Sequence, residues 1–368
     1  MADDDDDNTK PTNLTAFITA MPKLDLHVHI EGTLTPELRW ALATRNRIPL
    51  PYSTASALRA SYNNLYASLR SDGSNALPLF LSHYYAGMDV LRAEPDFYDL
   101  AMAFLRACAA SNVRYVEPFF DVQAHTRRGV PAAAVLDGLL RAKHDAARLL
   151  PGVRCNFVLC FLRDEPAAAA DAAYDVAAPY AHRLFVGVGI DSDERGNPPA
   201  KFDDLFRRAR ADGLKVTAHC DVNQVNGHAH IAQAVCEVGG GGGLDRIDHG
   251  VNAGEKPELI AAIRKRGIGL TICPQAYVIA KEARWGQWVR TLVDAGVKVT
   301  IGSDDPAYMH GMGTADNMVL AAEACKLDRD EVVQLVRNAI DICWADLDVK
   351  KELGSELEKF VKEWKGQS

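Results

Sequence analysis

Short apolar runs rich in β-branched residues recur along the chain, and each ends in polar residues. Eight of them predict buried β-strands, over residues 24–28, 113–118, 153–160, 184–190, 214–219, 244–248, 267–273 and 297–302. Stretches with helical periodicity separate most neighbours, at 132–150, 202–211, 228–238, 257–266 and 285–295. A strand followed by a helix, repeated eight times, predicts an α/β fold of the (β/α)8 or TIM-barrel type.

The segment between the first two predicted strands, residues 36–111, is too long for one crossover helix. Its helical patterning, clearest over 79–91, predicts a helical lid insertion in which Phe80, Tyr84 and Tyr85 form an aromatic group. A plain packing subdomain is the alternative for these aromatic residues. Three further helical patterns predict closing C-terminal helices, at 315–325, 329–344 and 350–364.

Composition adds limits to this picture. The chain has 368 residues, of which 48% are hydrophobic, and a net charge of −8, so we expect one barrel domain over 13–368 after a disordered acidic tail at 1–12. No basic surface for nucleic acid is indicated, and no apolar run is long enough for a membrane span. Eight cysteines without a CxxC pair indicate reduced thiols in a cytoplasmic protein. The oligomeric state stays open.

Candidate chemistry lies at the ends of the predicted strands, where the active sites of such barrels are found. His27 and His29 alternate on one strand and therefore face the same side. With His219 and one carboxylate they can complete the ligand set of a divalent metal and leave a position for water, and metal-bound water is a nucleophile at neutral pH. Core histidines with satisfied hydrogen bonds, and a simple Asp-Asp-Pro turn, are the structural alternatives.

Other polar residues invite separate interpretations. His249 could orient or deprotonate an attacking water. Asp304 and Asp305 are adjacent in an extended segment, so one could bind metal while the other reaches the substrate. His228 and His230 fall at the start of a predicted helix, where residues two apart diverge, and we interpret both as surface residues.

Three motifs together carry a family resemblance: residues 27–32 (His-Val-His-Ile-Glu-Gly), 246–250 (Arg-Ile-Asp-His-Gly) and 303–306 (Ser-Asp-Asp-Pro). Through them the chain resembles the adenosine deaminase family of the amidohydrolase superfamily, from about residue 22 to about residue 317. Residues 85–92, 119–126 and 189–199 are similar to the adenine deaminase branch.

The resemblance implies roles for individual residues. His27, His29, His219 and Asp304 would bind one Zn²⁺ per chain. His249 would position the attacking water, and Asp305 would accept or donate at the purine ring. The expected substrate-binding residues are Glu31, Gly189 and Asp193 with the loop at 189–194, Phe80 and Tyr84 of the lid, and Gln275, for which an ordinary loop role is equally open.

One departure from the family pattern concerns the proton donor. Family deaminases carry His-Ala-Gly-Glu at the fifth strand, whereas this chain has His219-Cys220-Asp221-Val222. Asp221 could act as the catalytic acid if the loop shifts by one residue, and Asp193, Glu194 or Glu31 could also reach in. Loss of a general acid typically costs about 10²–10⁴-fold in rate.

The expected function is zinc-dependent hydrolysis of a C–N bond, with water deaminating a small nitrogenous substrate such as an aminopurine-like heterocycle. Two alternatives remain at this level. The same barrel could hydrolyse a cyclic amide or a specialised metabolite, or it could be a binding protein without turnover. Ligand type alone also leaves zinc, iron and manganese as candidates for the metal.

Overall fold

The computed structural model describes residues 10–72, 76–220 and 224–364. Within them, eleven strand segments build the eight strand positions of one parallel barrel: β1 Lys23–Asp25, β2 Val113–Val116, β3 Phe119–Phe120, β4 Arg154–Cys155, β5 Phe157–Leu162, β6 Phe185–Asp191, β7 Lys215–Val216, β8 His219–Cys220, β9 Arg246–His249, β10 Gly269–Ile272 and β11 Lys298–Ile301. The predicted barrel is confirmed.

Parallel pairing runs around the barrel in chain order. The neighbours are β1-β2-β4, β3-β5-β6-β7 and β8-β9-β10-β11. The eighth position returns to the first, because the Asp304 N–H donates to the His27 carbonyl and the His29 N–H donates to the Asp304 carbonyl, both at 2.9 Å. Gly302 permits this approach, since a Cβ there would lie 2.6 Å from the His27 Cβ.

Three strand positions are interrupted, between β2 and β3, between β4 and β5, and between β7 and β8. The first break has a clear cause in the sequence, since Pro118 has no N–H to donate to a neighbouring strand. The chain resumes pairing at Phe119, whose N–H donates to the Val28 carbonyl at 2.8 Å.

The helices of the described residues are α1 Lys10–Ala20, α2 Pro36–Arg45, α3 Ala55–Asp72, α4 Ala76–Gly87, α5 Glu94–Ala110, α6 Val122–Thr126, α7 Ala132–Leu149, α8 Ala167–Ala177, α9 Asp203–Ala211, α10 Gly227–Cys236, α11 Pro257–Arg266, α12 Pro274–Ile279, α13 Trp285–Asp294, α14 Thr314–Cys325, α15 Arg329–Ile342 and α16 Leu347–Glu363. Helix α1 overlaps the end of the expected acidic tail, of which residues 1–9 lie outside the described part.

The segment after the first strand is helical, as predicted, but its helices have different partners. Helix α5 packs against α7 and β2, which makes it the first crossover helix of the barrel. Its start is fixed by Asp96, whose carboxylate accepts the backbone N–H groups of Arg92 and Ala93 at 2.8 Å. Helices α3 and α4 contribute residues to the cavity over the barrel mouth.

The opposite end of the barrel is closed by Trp344. Its ring packs against the buried cluster of Phe119, Val158 and Cys160 and occupies the space beside Gly187, where a Cβ would come within 2.2 Å of the indole. The buried guanidinium of Arg246 lies 4.0 Å from the indole centroid and 2.5 Å from the Glu117 carboxylate. Access to the barrel is therefore from the carboxyl ends of the strands.

Two further expectations bear on the surroundings of the protein. All eight cysteines lie within the described residues and are free thiols. Among the described helices, none combines the length and the apolar character that crossing a lipid bilayer requires.

Candidate active site at the barrel mouth

Six predicted side chains from four strand ends meet at the carboxyl ends of the strands, all of them buried: His27, His29, His219, His249, Asp304 and Asp305. The two closest ring nitrogens are His29 Nε2 and His219 Nε2, 3.2 Å apart. Asp304 Oδ1 lies 3.5 Å from His27 Nε2 and 3.7 Å from His29 Nε2. Three imidazoles and one carboxylate thus face a common point.

Hydrogen bonds fix the orientation of two of these imidazoles. The Thr271 hydroxyl donates to Asp248 at 3.0 Å, so it accepts from His27 Nδ1 at 2.8 Å, and His27 Nε2 keeps its lone pair. His219 Nδ1 donates to the Ile190 carbonyl at 3.1 Å, which leaves the lone pair of that ring on Nε2 as well. Both lone pairs point into the site, as metal ligation requires.

These donors fit a divalent metal. A contact of 3.2 Å between His29 Nε2 and His219 Nε2 needs a shared proton or a shared cation. Two nitrogens bound to tetrahedral Zn²⁺ at about 2.0–2.1 Å would lie roughly 3.3–3.4 Å apart. His27 Nε2 is buried and makes no hydrogen bond to any residue that the structure describes. The donor set of three imidazoles and a carboxylate favours the cation.

Burial keeps His29, His219 and His249 neutral. It lowers the pKa of His29 to about 4 and the pKa of His249 to about 3, with a further lowering from the neighbouring His27 and an opposing effect of Asp304. The pKa of His219 falls well below its ordinary value, first through burial and then through the neighbouring histidines. Neutral imidazole is the form that binds metal.

Asp304 and His249 are both held in an unusual backbone conformation. Their φ angles are +60° and +59°, in the left-handed region that residues other than glycine rarely adopt. Such strain is typical of functional sites. Burial acts to raise the pKa of Asp304, but contact with His27 and the proximity of His249 and His29 outweigh burial and hold the pKa below its ordinary value.

Asp305 is buried against Gly32 and lines the same cavity. A Cβ at Gly32 would lie 2.0 Å from Asp305 Oδ1, so the absence of a side chain there makes room for this carboxyl group. Burial, and then repulsion by Asp304, raise the pKa of Asp305 well above its ordinary value. Asp305 is therefore suited to carry a proton at neutral pH, whereas Asp304 carries charge.

His249 has a partner that the sequence analysis did not identify. Its Nδ1 lies 3.2 Å from the Tyr277 hydroxyl, which in turn accepts the backbone N–H of Cys273 at 3.2 Å. Tyr277 also lines the cavity. The sequence signal for Tyr277 as a site residue was its position shortly after the end of a predicted strand.

A cavity of about 480 Å³ opens above the six residues. Of the residues predicted to bind substrate, Phe80 and Tyr84 line it. Among the described residues, four others predicted to do so are not part of its wall: Glu31, Gly189, Asp193 and Gln275. Asp221, the predicted catalytic acid, lies outside the described residues, as does Val222.

The positions of these four residues explain why they stand apart. Glu31 accepts a hydrogen bond from His125 at 2.8 Å behind the site, and Asp193 pairs with Arg195. Gln275 is buried between Tyr66 and Asn317. At Gly189, a Cβ would point toward Cys160 Sγ at 2.8 Å, into the barrel core below the cavity.

Two further acidic residues belong to the cavity wall: Asp121, which was not assigned a site role from the sequence, and Asp191, which lies in the loop at 189–194 that was expected to line the pocket. Asp121 and Asp191 line the cavity, and Asp191 Oδ2 lies 3.5 Å from His29 Nδ1. Burial, and then mutual repulsion among acidic neighbours, raise the pKa of Asp121 to about 8 and the pKa of Asp191 well above its ordinary value. Their positions directly after strands were the signal available in the sequence.

The surface interpretation of His230 was wrong. His230 is buried, lines the cavity and contacts Glu194, whereas His228 is half-buried and pairs with Glu255 at 3.0 Å. The two side chains do diverge on α10, as expected. Because they diverge, His230 faces the cavity and His228 does not.

Thr271 provides a test of the histidine orientation. Thr271→Val keeps the shape but removes the acceptor for His27 Nδ1–H, and outer-shell changes of this kind typically cost about 10–100-fold in metal affinity. Competition with a chromogenic chelator would measure the affinity. The control is Thr300→Val, because Thr300 pairs with Thr271 across β10 and β11. Equal affinities in both variants would contradict the proposed orientation.

Comparison with known proteins places these features in context. The sequence model of the adenosine deaminase family matches residues 22–360. An adenine deaminase from Paraburkholderia phytofirmans is 40% identical over 354 residues, covering 95% of each chain. The crystal structure of an adenine deaminase from Arthrobacter aurescens superposes with a TM-score of 0.83 at 34% identity, covering 93% of this chain and 100% of the other. An amidohydrolase from Burkholderia ambifaria, solved with bound Zn, gives a TM-score of 0.80 at 25% identity, with coverages of 98% and 96%.

Proposed function

This chain belongs to the adenosine deaminase family, and from that premise we propose that it is a metal-dependent hydrolase that deaminates a purine-like heterocycle and releases ammonia. The observation that carries the proposal is the convergence of His27, His29, His219 and Asp304 below a cavity that also presents Asp305. Relatives named adenine deaminase support an amino-substituted purine as the substrate class.

We propose that the metal is one Zn²⁺ held by His27, His29, His219 and Asp304. The similar amidohydrolase solved with bound Zn supports this choice, as do the imidazoles of His27 and His219, whose lone pairs face the site. When bound, a divalent metal makes water a strong nucleophile at neutral pH and offsets charge that develops during attack. Side chains of the protein orient the water and transfer protons.

His249 and Asp305 act on the water and on the reacting atoms. His249 is neutral and fixed by the Tyr277 hydroxyl, so it can orient the attacking water by a hydrogen bond. Asp305 lies beside Asp304, and its raised pKa suits it to exchange a proton with the departing amino group or with a ring nitrogen. Asp121 and Asp191, also with raised pKa values, can donate hydrogen bonds to other ring nitrogens.

The cavity supports a small aromatic substrate. Phe80 and Tyr84, with ring centroids 5.4 Å apart, provide an aromatic wall opposite the polar floor. We propose a small nitrogenous substrate and water as the partners of this site. A net charge of −8 does not favour binding to nucleic acid. Eight free thiols suit a reducing compartment, and we propose a cytoplasmic location.

Removal and restoration of the metal test the proposed function. Protein stripped with dipicolinate should release no ammonia from adenine, adenosine, cytosine, substituted aminopurines or pterins. Restoring one equivalent of Zn²⁺ should restore release from at least one aminopurine, and parallel samples with Fe²⁺ or Mn²⁺ identify the preferred metal. Full activity in the stripped protein would contradict the proposal, and so would no activity with any metal.

A further inference from the structure

Three buried polar side chains, those of Arg163, Glu194 and His230, contact one another in series beside the cavity. The side chains of Arg163 and Glu194 are both fully buried, and Arg163 Nη1 lies 3.3 Å from Glu194 Oε2. The same guanidinium donates to the His219 carbonyl at 2.7 Å and to the Asn197 carbonyl at 2.9 Å. Burying two charges is costly in general, so such a pair often marks a functional site.

Glu194 holds His230 in one orientation. The carboxylate contacts His230 Nδ1 in a very short hydrogen bond, which leaves Nε2 as the other ring nitrogen. His230 is nearly buried, yet it forms part of the cavity wall. A carboxylate that binds one nitrogen of a histidine fixes the ring and stabilises its protonated form, and such histidines commonly transfer protons near neutral pH.

The deamination chemistry needs a proton donor for the ring of the substrate. Attack of water on the carbon that bears the amino group pushes the C=N electron pair onto the adjacent ring nitrogen, which must gain a proton. Family deaminases carry glutamate where this chain has Val222, and the side chain of valine has no proton to donate. Asp191 and Asp305 lie beside the metal-ligand candidates, with Asp191 Oδ2 only 3.5 Å from His29 Nδ1. His230 reaches the cavity from a separate wall, on α10.

We propose that His230, held by Glu194, is the catalytic residue that protonates the substrate ring nitrogen; this rests on the proposed function. In the forward step the water oxygen bonds to the amino-bearing carbon, the C=N pair moves to the ring nitrogen, and that nitrogen takes the Nε2 proton of His230. One water proton passes through Asp305 to the amino group, which leaves as ammonia. The remaining hydroxyl proton returns to His230 as the C=O bond forms, so the proton balance closes.

His230→Asn and His228→Asn form a matched pair on one helix. The first removes the proposed donor, whereas the second alters a half-buried residue that contacts Glu255 and the Asn252 carbonyl. With the aminopurine that the wild type turns over fastest, we expect His230→Asn to lower kcat by about 10²–10⁴-fold. His228→Asn should stay within about twofold, and both proteins should retain one metal per chain. Glu194→Gln should lower kcat in the same direction.

Two readouts separate proton transfer from a structural role. Added imidazole should partly restore the turnover of His230→Ala, because the truncated side chain leaves room for it. The wild type should bind adenine more tightly than 1-deazaadenine, in which C–H replaces the ring nitrogen beside the reacting carbon, by roughly 3–10-fold. His230→Asn should lose that preference.

The outcomes distinguish this inference from the proposed function. An inactive wild type with every compound and metal would refute the function, and the role of His230 would fall with it. An active wild type together with His230→Asn at the level of His228→Asn would refute the role of His230 alone. Loss of turnover in Asp221→Asn with normal kcat in His230→Asn would instead assign proton transfer to Asp221. Metal loss or a change in KM alone in His230→Asn would also overturn the role.

Discussion

Alanine in place of His27 is expected to leave the protein without its metal and without turnover. Structural zinc sites contribute about 10–16 kcal/mol, so one of four ligands accounts for about 2.5–4 kcal/mol, or roughly 10²–10³-fold in affinity. His27 lies at the centre of the cluster, with its ring centroid 4.8 Å from His219 and 4.5 Å from His249. Without metal, the pKa of water lies far above neutral instead of at about 7, and water is a poor nucleophile.

Metal content and ammonia release, measured on the same gel-filtered sample, check this result. His228→Ala serves as the control, since that residue lies on α10 outside the cluster. The melting temperature of the variant should be compared with that of metal-free wild type, which separates metal loss from the loss of a buried imidazole. One equivalent of metal in His27→Ala would show that His27 is no ligand.

Asparagine in place of Asp305 is expected to abolish most turnover while the metal stays bound. The change keeps the size of the side chain in the space beside Gly32 but removes the proton that the raised pKa of Asp305 retains. Loss of a positioned acid or base typically costs about 10²–10⁴-fold in rate. We expect kcat to fall by that factor, with one metal per chain by elemental analysis.

Asp304 provides the matched comparison, because the two carboxyl groups are adjacent in sequence. Asp304 Oδ1 faces the imidazoles of His27 and His29, so Asp304→Asn should weaken metal binding as well as turnover. The pair therefore separates ligation from proton transfer at neighbouring positions. Metal loss in Asp305→Asn, with retention in Asp304→Asn, would reverse the two roles.

Much of the site could be predicted because barrel geometry maps sequence to space in a simple way. Each strand ends at the same rim, so polar residues that directly follow apolar runs must meet there. This reasoning placed His27, His219 and Asp304 together, and the structure brings them into contact. The structure also places the rings of His27 and His29 on the same side, as their alternation along the strand predicted, since both face the common point.

The pocket wall was harder to predict because it depends on contacts between distant segments. Gln275 follows a strand, yet its amide is taken by Tyr66 of the inserted helices. Asp193 lies in the expected loop but turns to Arg195, two residues away. A local sequence pattern does not show which partner a polar side chain will choose. The substrate roles of these two residues are therefore the least supported by the geometry.

His230 illustrates the reverse case, a residue of the cavity wall that the local sequence pattern did not assign to the site. From the sequence it was interpreted as a surface residue, whereas in the structure it lies beside Ile231 and one turn from Ala234, both buried, on the inward face of α10. The residue that gives it a function is Glu194, 36 positions earlier in the chain. Arg163, buried behind Glu194, is a residue type that sequence reasoning assigns to the surface. Only the folded barrel joins the three.

Deamination in water labelled with oxygen-18 tests the central claim most directly. The zinc-loaded wild type is incubated with an aminopurine, and ammonia and the isotopic mass of the purine product are measured together. Hydrolytic deamination predicts one labelled oxygen in the product for each ammonia released, and none from the His27→Ala protein. Ammonia release without incorporation of the label, or no ammonia from metal-loaded protein with any aminopurine, would contradict the account.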